Sequence, residues 1–179
     1  PDKKWQNLQE CHELYCNGHM IEAAVAFHEA LGKDSLLKIM CKTADLICDR
    51  FGKGKVRGYP GHPEIEMALL RLYRATGERK YREEALYFLN ERGTEPEYFA
   101  EEAKTRKLEL GLMDPKDRNL TQTYAPVREQ EKAVGHAVRA VYLYTAMADM
   151  ASEIDDPALT EACRRLWKNI TRQKMYITG

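Results

Sequence analysis

The sequence predicts an all-α protein made of repeated pairs of one inner and one outer helix, the unit of an (α/α)6 toroid or barrel, present here as roughly half of the ring. Three observations carry this. Three segments open with Gly-His and continue as helical stretches rich in small apolar residues: GHMIEAAVAFHEALGK from Gly18, GHPEIEMALLRLYRATGE from Gly61 and GHAVRAVYLYTAMADMASEIDD from Gly135. Each is followed by a second, more polar helical stretch. No stretch sustains the period-two alternation of a half-buried strand, so repetition of helix pairs organises the chain.

The first inner helix is apolar nearly all round, with Met20, Ile21, Ala23, Ala24, Val25, Ala26 and Phe27, which predicts burial on several sides. Leu31-Gly32 supplies the glycine that ends it, and Asp34 stands where the next helix starts. The following stretch places Leu36, Leu37, Met40, Ala44, Ile47 and Phe51 every three or four positions, one buried stripe and one wet face, as an outer helix requires. The second pair repeats this, with Thr76-Gly77 as the stop, Glu78 as the start and RKYREEALYFLNERG as the outer helix. Between Thr94 and Val134 the spacing predicts one charged helix over Glu97 to Leu110, then a loop containing Asp114, Pro115 and Pro126. The third inner helix carries Val138, Ala140, Val141, Tyr142, Leu143, Tyr144, Ala146 and Met147. Asp155-Asp156-Pro157 then starts the third outer helix with proline in its first turn.

Acidic and basic residues balance at 28 each and are scattered along the chain, so no nucleic-acid or anionic-membrane footprint is present. No apolar run approaches the roughly 20 residues needed to span a bilayer. Five cysteines without a CxxC pair suggest reduced thiols, which makes the cytoplasm the default expectation. Pro1 at the start and Gly179 after the apolar run Met175, Tyr176, Ile177 read as cuts, so residues 1–179 are expected to be part of one domain. Apolar inner helices at the cut edges make self-association, including a homo-oligomer, an expectation as well.

In a closed toroid the starts of the inner helices face one mouth of the ring. His19, His62 and His136 would converge there, although 43 and 74 residues separate them in sequence. A neutral imidazole offers one donor and one acceptor, which suits a sugar hydroxyl. A helix-start histidine is also an ordinary cap, but recurrence at three equivalent positions favours ligand contact. A three-histidine metal site is a lesser alternative, since it needs a tight tetrahedral geometry that this spacing does not prove. Glu22, Glu64 and Glu66 lie within a turn of these units and are expected to be helix-dipole partners rather than catalytic carboxylates. Tyr59, Tyr98, Tyr124 and Tyr142 are candidates for stacking on a sugar face, Tyr142 being as well suited to the core. Arg128, Glu129 and Gln130 precede the third inner helix and are candidates for the same mouth.

Two rival readings come from other classes. His12-Glu13 with Cys16 is half of an HExxH zinc-peptidase helix, lacking the second histidine. A helical-repeat solenoid gripping a peptide accounts for the pairs but not for the recurring Gly-His. Its histidines would be spread along a line.

The blocks HELYCNGHMIEAAVA, GYPGHPEIEMALLRLYRATG and PVREQEKAVGHAVRAVYLYTAMAD, followed by KMYITG, resemble successive blocks of glycoside hydrolase family 127, the β-L-arabinofuranosidases. The resemblance covers nearly the whole chain. It implies an (α/α)6 barrel catalytic domain, of which residues 1–179 would be a part cut at both ends. It also implies hydrolysis of terminal β-linked L-arabinofuranose with retention, by a cysteine nucleophile near zinc and a glutamate acid/base. By the resemblance His19, His62 and His136 contact the sugar. The nucleophile, the acid/base and the zinc ligands belong to blocks that follow KMYITG, which leaves this chain with no catalytic residue and no metal ligand. Cys11, Asn17 and Pro63 stand where the family pattern has other residues.

Overall fold

The computed structural model describes residues 4–106 and 110–178. The helices are α1 (Glu13–Leu31), α2 (Ser35–Arg50), α3 (Ile65–Thr76), α4 (Arg79–Glu91), α5 (Tyr98–Thr105), α6 (Ala137–Glu153) and α7 (Pro157–Gln173), with a 3-10 turn at Val127–Glu129. Among the described residues there is no strand, only an isolated bridge between Phe51 and Val56.

The inner layer is α1, α3 and α6, with α3 packed between the other two. Each outer helix lies on the inner helix that precedes it, α2 on α1, α4 on α3 and α7 on α6. The apolar spacing explains this division. In α2 the buried residues Leu37, Met40, Ala44, Ile47 and Cys48 form one stripe, and in α7 Leu159, Ala162, Leu166 and Asn169 do the same. Helix α3, flanked on three sides, buries the consecutive residues Ala68, Leu69 and Leu70 as well as Ile65 and Leu72. Tyr81 joins the outer layer by donating its hydroxyl to Asp45 at 2.7 Å.

Burial on several sides holds for α3, whose wet side is Arg71 and Arg74, but less so for the flanking inner helices. Met20 on α1 is 48% exposed, and Val138 and Val141 on α6 are 49% and 55% exposed. These helices lie at the two ends of the inner row, so each has one bare apolar side. The left-handed glycines at 32 and 77 end α1 and α3 as the sequence predicts. Asp156 accepts the Leu159 N–H, with Pro157 in the first turn of α7. Asp34 and Glu78 stand at helix starts without capping them. The Asp34 carboxylate instead meets His28 Nδ1 at 2.7 Å, because α1 ends directly above it.

Two expectations on helix limits change. The predicted helix Glu97–Leu110 is realised as Tyr98–Thr105, and residues 107–109 lie outside the described residues. Helix α1 begins at Glu13, so Gly18 and His19 lie well inside it rather than at its start. No helix among the described residues is long and apolar enough to cross a membrane.

Candidate functional site

Gly18 survives inside α1 because α3 arrives against it. A Cβ there would stand 2.7 Å from Glu64 Cγ and 3.2 Å from the Ile65 backbone nitrogen. Gly61 is required for a different reason, since its Cβ would stand 2.2 Å from the Gln9 carbonyl oxygen. Gly135 combines a left-handed backbone, φ 72°, with contact against Asn119. The three Gly-His units therefore share a sequence but not a local geometry. His62 lies just before α3, His136 is the N-cap of α6, and His19 projects from the body of α1.

The fold nevertheless brings the three together. Tyr15, on the same face of α1 as His19, has its ring 4.5 Å from those of both His19 and His62. Tyr142 of α6 lies 6.0 Å from His19 and 5.7 Å from His62. His136 lies 6.0 Å from His62, and His12 lies 5.6 Å from it on another side. The six rings form one partly exposed cluster across α1, α3 and α6. A line of separated histidines, as a solenoid reading requires, is not what the structure holds. Tyr15 was missed by sequence reasoning; its signal was the four-residue spacing to His19, which puts both on one helix face.

Hydrogen bonds set the ring tautomers. His62 Nδ1–H donates to the Pro63 carbonyl at 2.8 Å, leaving Nε2 as an acceptor. His12 makes the same arrangement with the Glu10 carbonyl at 2.9 Å. His136 instead accepts the Arg139 N–H on Nδ1 at 3.4 Å, so its neutral ring carries a donor at Nε2. Burial, aided by the positive charge of Arg139 and the neighbouring His12 and His136, lowers His62 to about 4. It is neutral at ordinary pH. The cluster thus offers both acceptors and a donor, with aromatic faces beside them, a surface suited to a polyhydroxylated ring.

Next to it lies a second group. Glu64 is buried, 0% exposed at its side chain, with its Oε1 3.4 Å from His19 Nδ1, and neither of its oxygens has a hydrogen-bond partner. One ligand-type atom each from His19, Glu22 and Glu64 lie within 4.8 Å of one another. Burial, together with the adjacent Glu22 and Glu66 carboxylates, pushes Glu64 up to about 8. Glu66 takes another part: it accepts the Glu64 backbone N–H at 3.1 Å and pairs with the buried Arg92 at 3.2 Å.

Other candidates are placed elsewhere. Tyr59 and Tyr98 stack on each other at 4.6 Å in the core, with Tyr59 fully buried. Tyr124 donates its hydroxyl to the Lys132 carbonyl. Arg128 ties Asn90 to Asp156, Gln130 is buried against the Gln122 and Ala125 carbonyls, and Glu129 closes the 3-10 turn. These are braces of the 110–136 connection. His12, Glu13 and Cys16 line a shallow pocket together, but the one group of three or more metal-type side chains among the described residues is His19, Glu22 and Glu64. The zinc-peptidase arrangement is therefore not formed. Burial pushes the Cys48 thiol up to about 12 and raises Cys11 and Cys163 too, the opposite of what a thiolate nucleophile needs. A cavity of about 740 Å³ between the loop at Phe51–Arg57 and α4 touches none of the three histidines.

The chain is similar to known proteins over nearly its whole length. A family model described as the β-L-arabinofuranosidase GH127 catalytic domain matches residues 1–179. A non-reducing end β-L-arabinofuranosidase of Bifidobacterium longum is 40% identical over 96% of this chain, which spans 27% of that relative's length. A crystal structure of a GH127 β-L-arabinofuranosidase from Geobacillus stearothermophilus T6 superimposes with a TM-score of 0.92 at 51% identity, over 100% of this chain and 28% of that one. A second solved structure, a GH127 β-arabinofuranosidase, gives a TM-score of 0.82 at 42% identity, over 98% of this chain and 25% of that one.

Proposed function

The chain belongs to the GH127 β-L-arabinofuranosidase catalytic-domain family, and from that premise we propose that it forms the sugar-binding side of a glycoside hydrolase acting on terminal β-L-arabinofuranosyl residues. The observation that carries this is the gathering of His19, His62 and His136 around Tyr15 and Tyr142. In this reading the Nε2 of His62 accepts a hydrogen bond from a sugar hydroxyl, His136 donates one from its own Nε2, and the tyrosine faces cover the apolar C–H side of the furanose. Fixed tautomers matter because a ring that need not reorient loses less freedom on binding. His19 completes the contact from α1.

Residues 1–179 are read as part of an (α/α)6 domain. The bare sides of α1 and α6 are where further inner helices of the ring would lie, in keeping with a chain that covers about a quarter of its relatives. The nucleophile, the acid/base and a thiolate-bound zinc belong, in the family resemblance, to later blocks. No cysteine here joins a cluster of metal-type side chains among the described residues, so the residues of this chain do not fit that zinc and no step is assigned to it.

The test is ligand-observed NMR with methyl β-L-arabinofuranoside and the purified chain. Saturation transfer is expected and should vanish in His62→Ala and Tyr142→Ala; equal signals in all three proteins would sink the reading. The same chain should not hydrolyse aryl β-L-arabinofuranosides. Turnover lost on His62→Ala would show that chemistry was wrongly placed outside it.

A further inference from the structure

We propose that His19, Glu22 and Glu64 form a divalent-cation site of one imidazole nitrogen and two carboxylates, suited to a borderline ion such as Zn²⁺, Mn²⁺ or Co²⁺. The inference stands apart from the sugar-binding reading, because it concerns the Nδ1 side of His19 and not the ring cluster. Three features built into the fold converge on it.

The first is an unmet acceptor. Glu64 is fully buried, yet neither carboxylate oxygen has a hydrogen-bond partner among the described residues. Such a group, crowded by Glu22 and Glu66, keeps its proton up to about pH 8, and a bound cation is what would let it ionise where it stands. Arg71 approaches Glu22 at 3.9 Å but holds Glu29 at 2.9 Å. It does not reach Glu64 in any ion pair seen here.

The second is spacing. His19 and Glu22 are three apart on α1, the i, i+3 arrangement by which one helix presents two ligands to one ion. Glu64 arrives from the start of α3, so the site also joins two inner helices.

The third is fit. Metal–nitrogen and metal–oxygen bonds of about 2.0–2.2 Å place neighbouring ligand atoms about 3.0–3.5 Å apart. The His19 Nδ1 to Glu64 Oε1 separation is already 3.4 Å. The whole set lies within 4.8 Å, so the partly exposed Glu22 needs to move by little more than 1 Å to close it, a small torsional change. Gly18 keeps the approach open, since a Cβ there would strike Glu64 Cγ. Glu66 holds the Glu64 backbone in place by accepting its N–H. Three protein ligands leave at least one position for water or a small ligand.

When the ion is bound, His19 Nδ1 is a ligand and its remaining proton must sit on Nε2. The ring then offers a donor on that side. Without the ion, no hydrogen bond to Glu64 fixes the tautomer. Metal binding would thus select which hydrogen bond His19 offers to its neighbours.

Cobalt(II) chloride titrated into the purified chain tests this, followed by visible absorption and by paramagnetic broadening of the His19 ring signals. One equivalent is expected, with weak d–d bands and no thiolate charge-transfer band. Binding should weaken at least about tenfold in both Glu64→Gln and Glu22→Gln. Glu22 is partly exposed, so Glu22→Gln should keep the far-UV circular dichroism of the parent and carries the test if Glu64→Gln does not fold. No uptake, uptake indifferent to Glu22→Gln, or a spectrum dominated by thiolate charge transfer overturns the proposal.

Discussion

Glu10→Gln is expected to loosen the segment that closes over the start of the chain, and its size follows from the structure. The Glu10 side chain is 0% exposed. Its carboxylate accepts the backbone N–H groups of Leu110 at 3.0 Å, Leu112 at 2.6 Å and Met113 at 3.1 Å, and the Asn7 amide at 2.8 Å. Burial alone would raise the group, but these four donors outweigh it and hold Glu10 at about 2 against its ordinary 4.5. A folded-state value below the unfolded one means stability that is fully present above pH 4.5 and lost as pH falls through 2. The difference of about 2.5 pH units corresponds to about 3 kcal/mol at neutral pH. Glutamine keeps the shape but accepts fewer and weaker bonds. In urea, with a slope of about 2 kcal/mol/M for a chain of this size, the midpoint at pH 7 should fall by about 1.5 M. The gap between parent and variant should then narrow steadily as the pH is lowered from 5 toward 3. Denaturation curves followed by circular dichroism across that range check it, and amide exchange at Leu110, Leu112 and Met113 should rise in the variant. A gap that stays constant with pH would refute the argument, because a purely steric effect of the substitution has no titration.

Three further outcomes are expected. His62, lowered to about 4, should stay neutral with its proton on Nδ1 from pH 8 down to about pH 5; a ¹⁵N titration with a midpoint near 6.5 would contradict the burial argument. For this base the linked stability is present above 6.5 and fades as pH falls through 4. Gly61→Ala drives a Cβ to 2.2 Å from a backbone carbonyl oxygen and should cost about 3 kcal/mol, roughly 6–12 °C in Tm, whereas Gly32→Ala, with nothing within 4 Å, should cost about 1 kcal/mol of backbone strain. Equal losses by calorimetry would remove the distinction between contact and conformation. Replacing Val138 and Val141 by lysine should reduce self-association in sedimentation without loss of helicity, since both side chains lie on the bare side of α6; an already monomeric parent at about 0.1 mM would show that this side is not adhesive.

The helix pairs were legible because outer helices obey a one-sided apolar period and inner ones do not. Glycine at 32 and 77 and Asp156-Pro157 marked their ends, since these residues act through their own backbone or nearest neighbours. The 97–110 helix was overextended because its charged face carries no stop signal. The convergence of the three histidines was legible from the repeat, and family resemblance reached the same residues independently. What misled was the identical Gly-His pair. At His62 and His136 it lies at a helix start, but at His19 it lies inside α1, where the glycine answers to Glu64, 46 positions away.

The sequence by itself determined the class of fold, the alternation of inner and outer helices and the family, all of which rest on local periodicity and on ordered motifs. Tertiary structure decided what those residues do for one another. It showed that Tyr15 and His62 are the centre of the ring cluster, that Tyr142 belongs to it while Tyr59 does not, and that Glu64 is a buried acid facing His19 and Glu22. The physical reason is that burial and missing partners are properties of space between helices. A glutamate beside a helix start looks the same in sequence whether its oxygens meet water, a backbone N–H or, as here, another carboxylate.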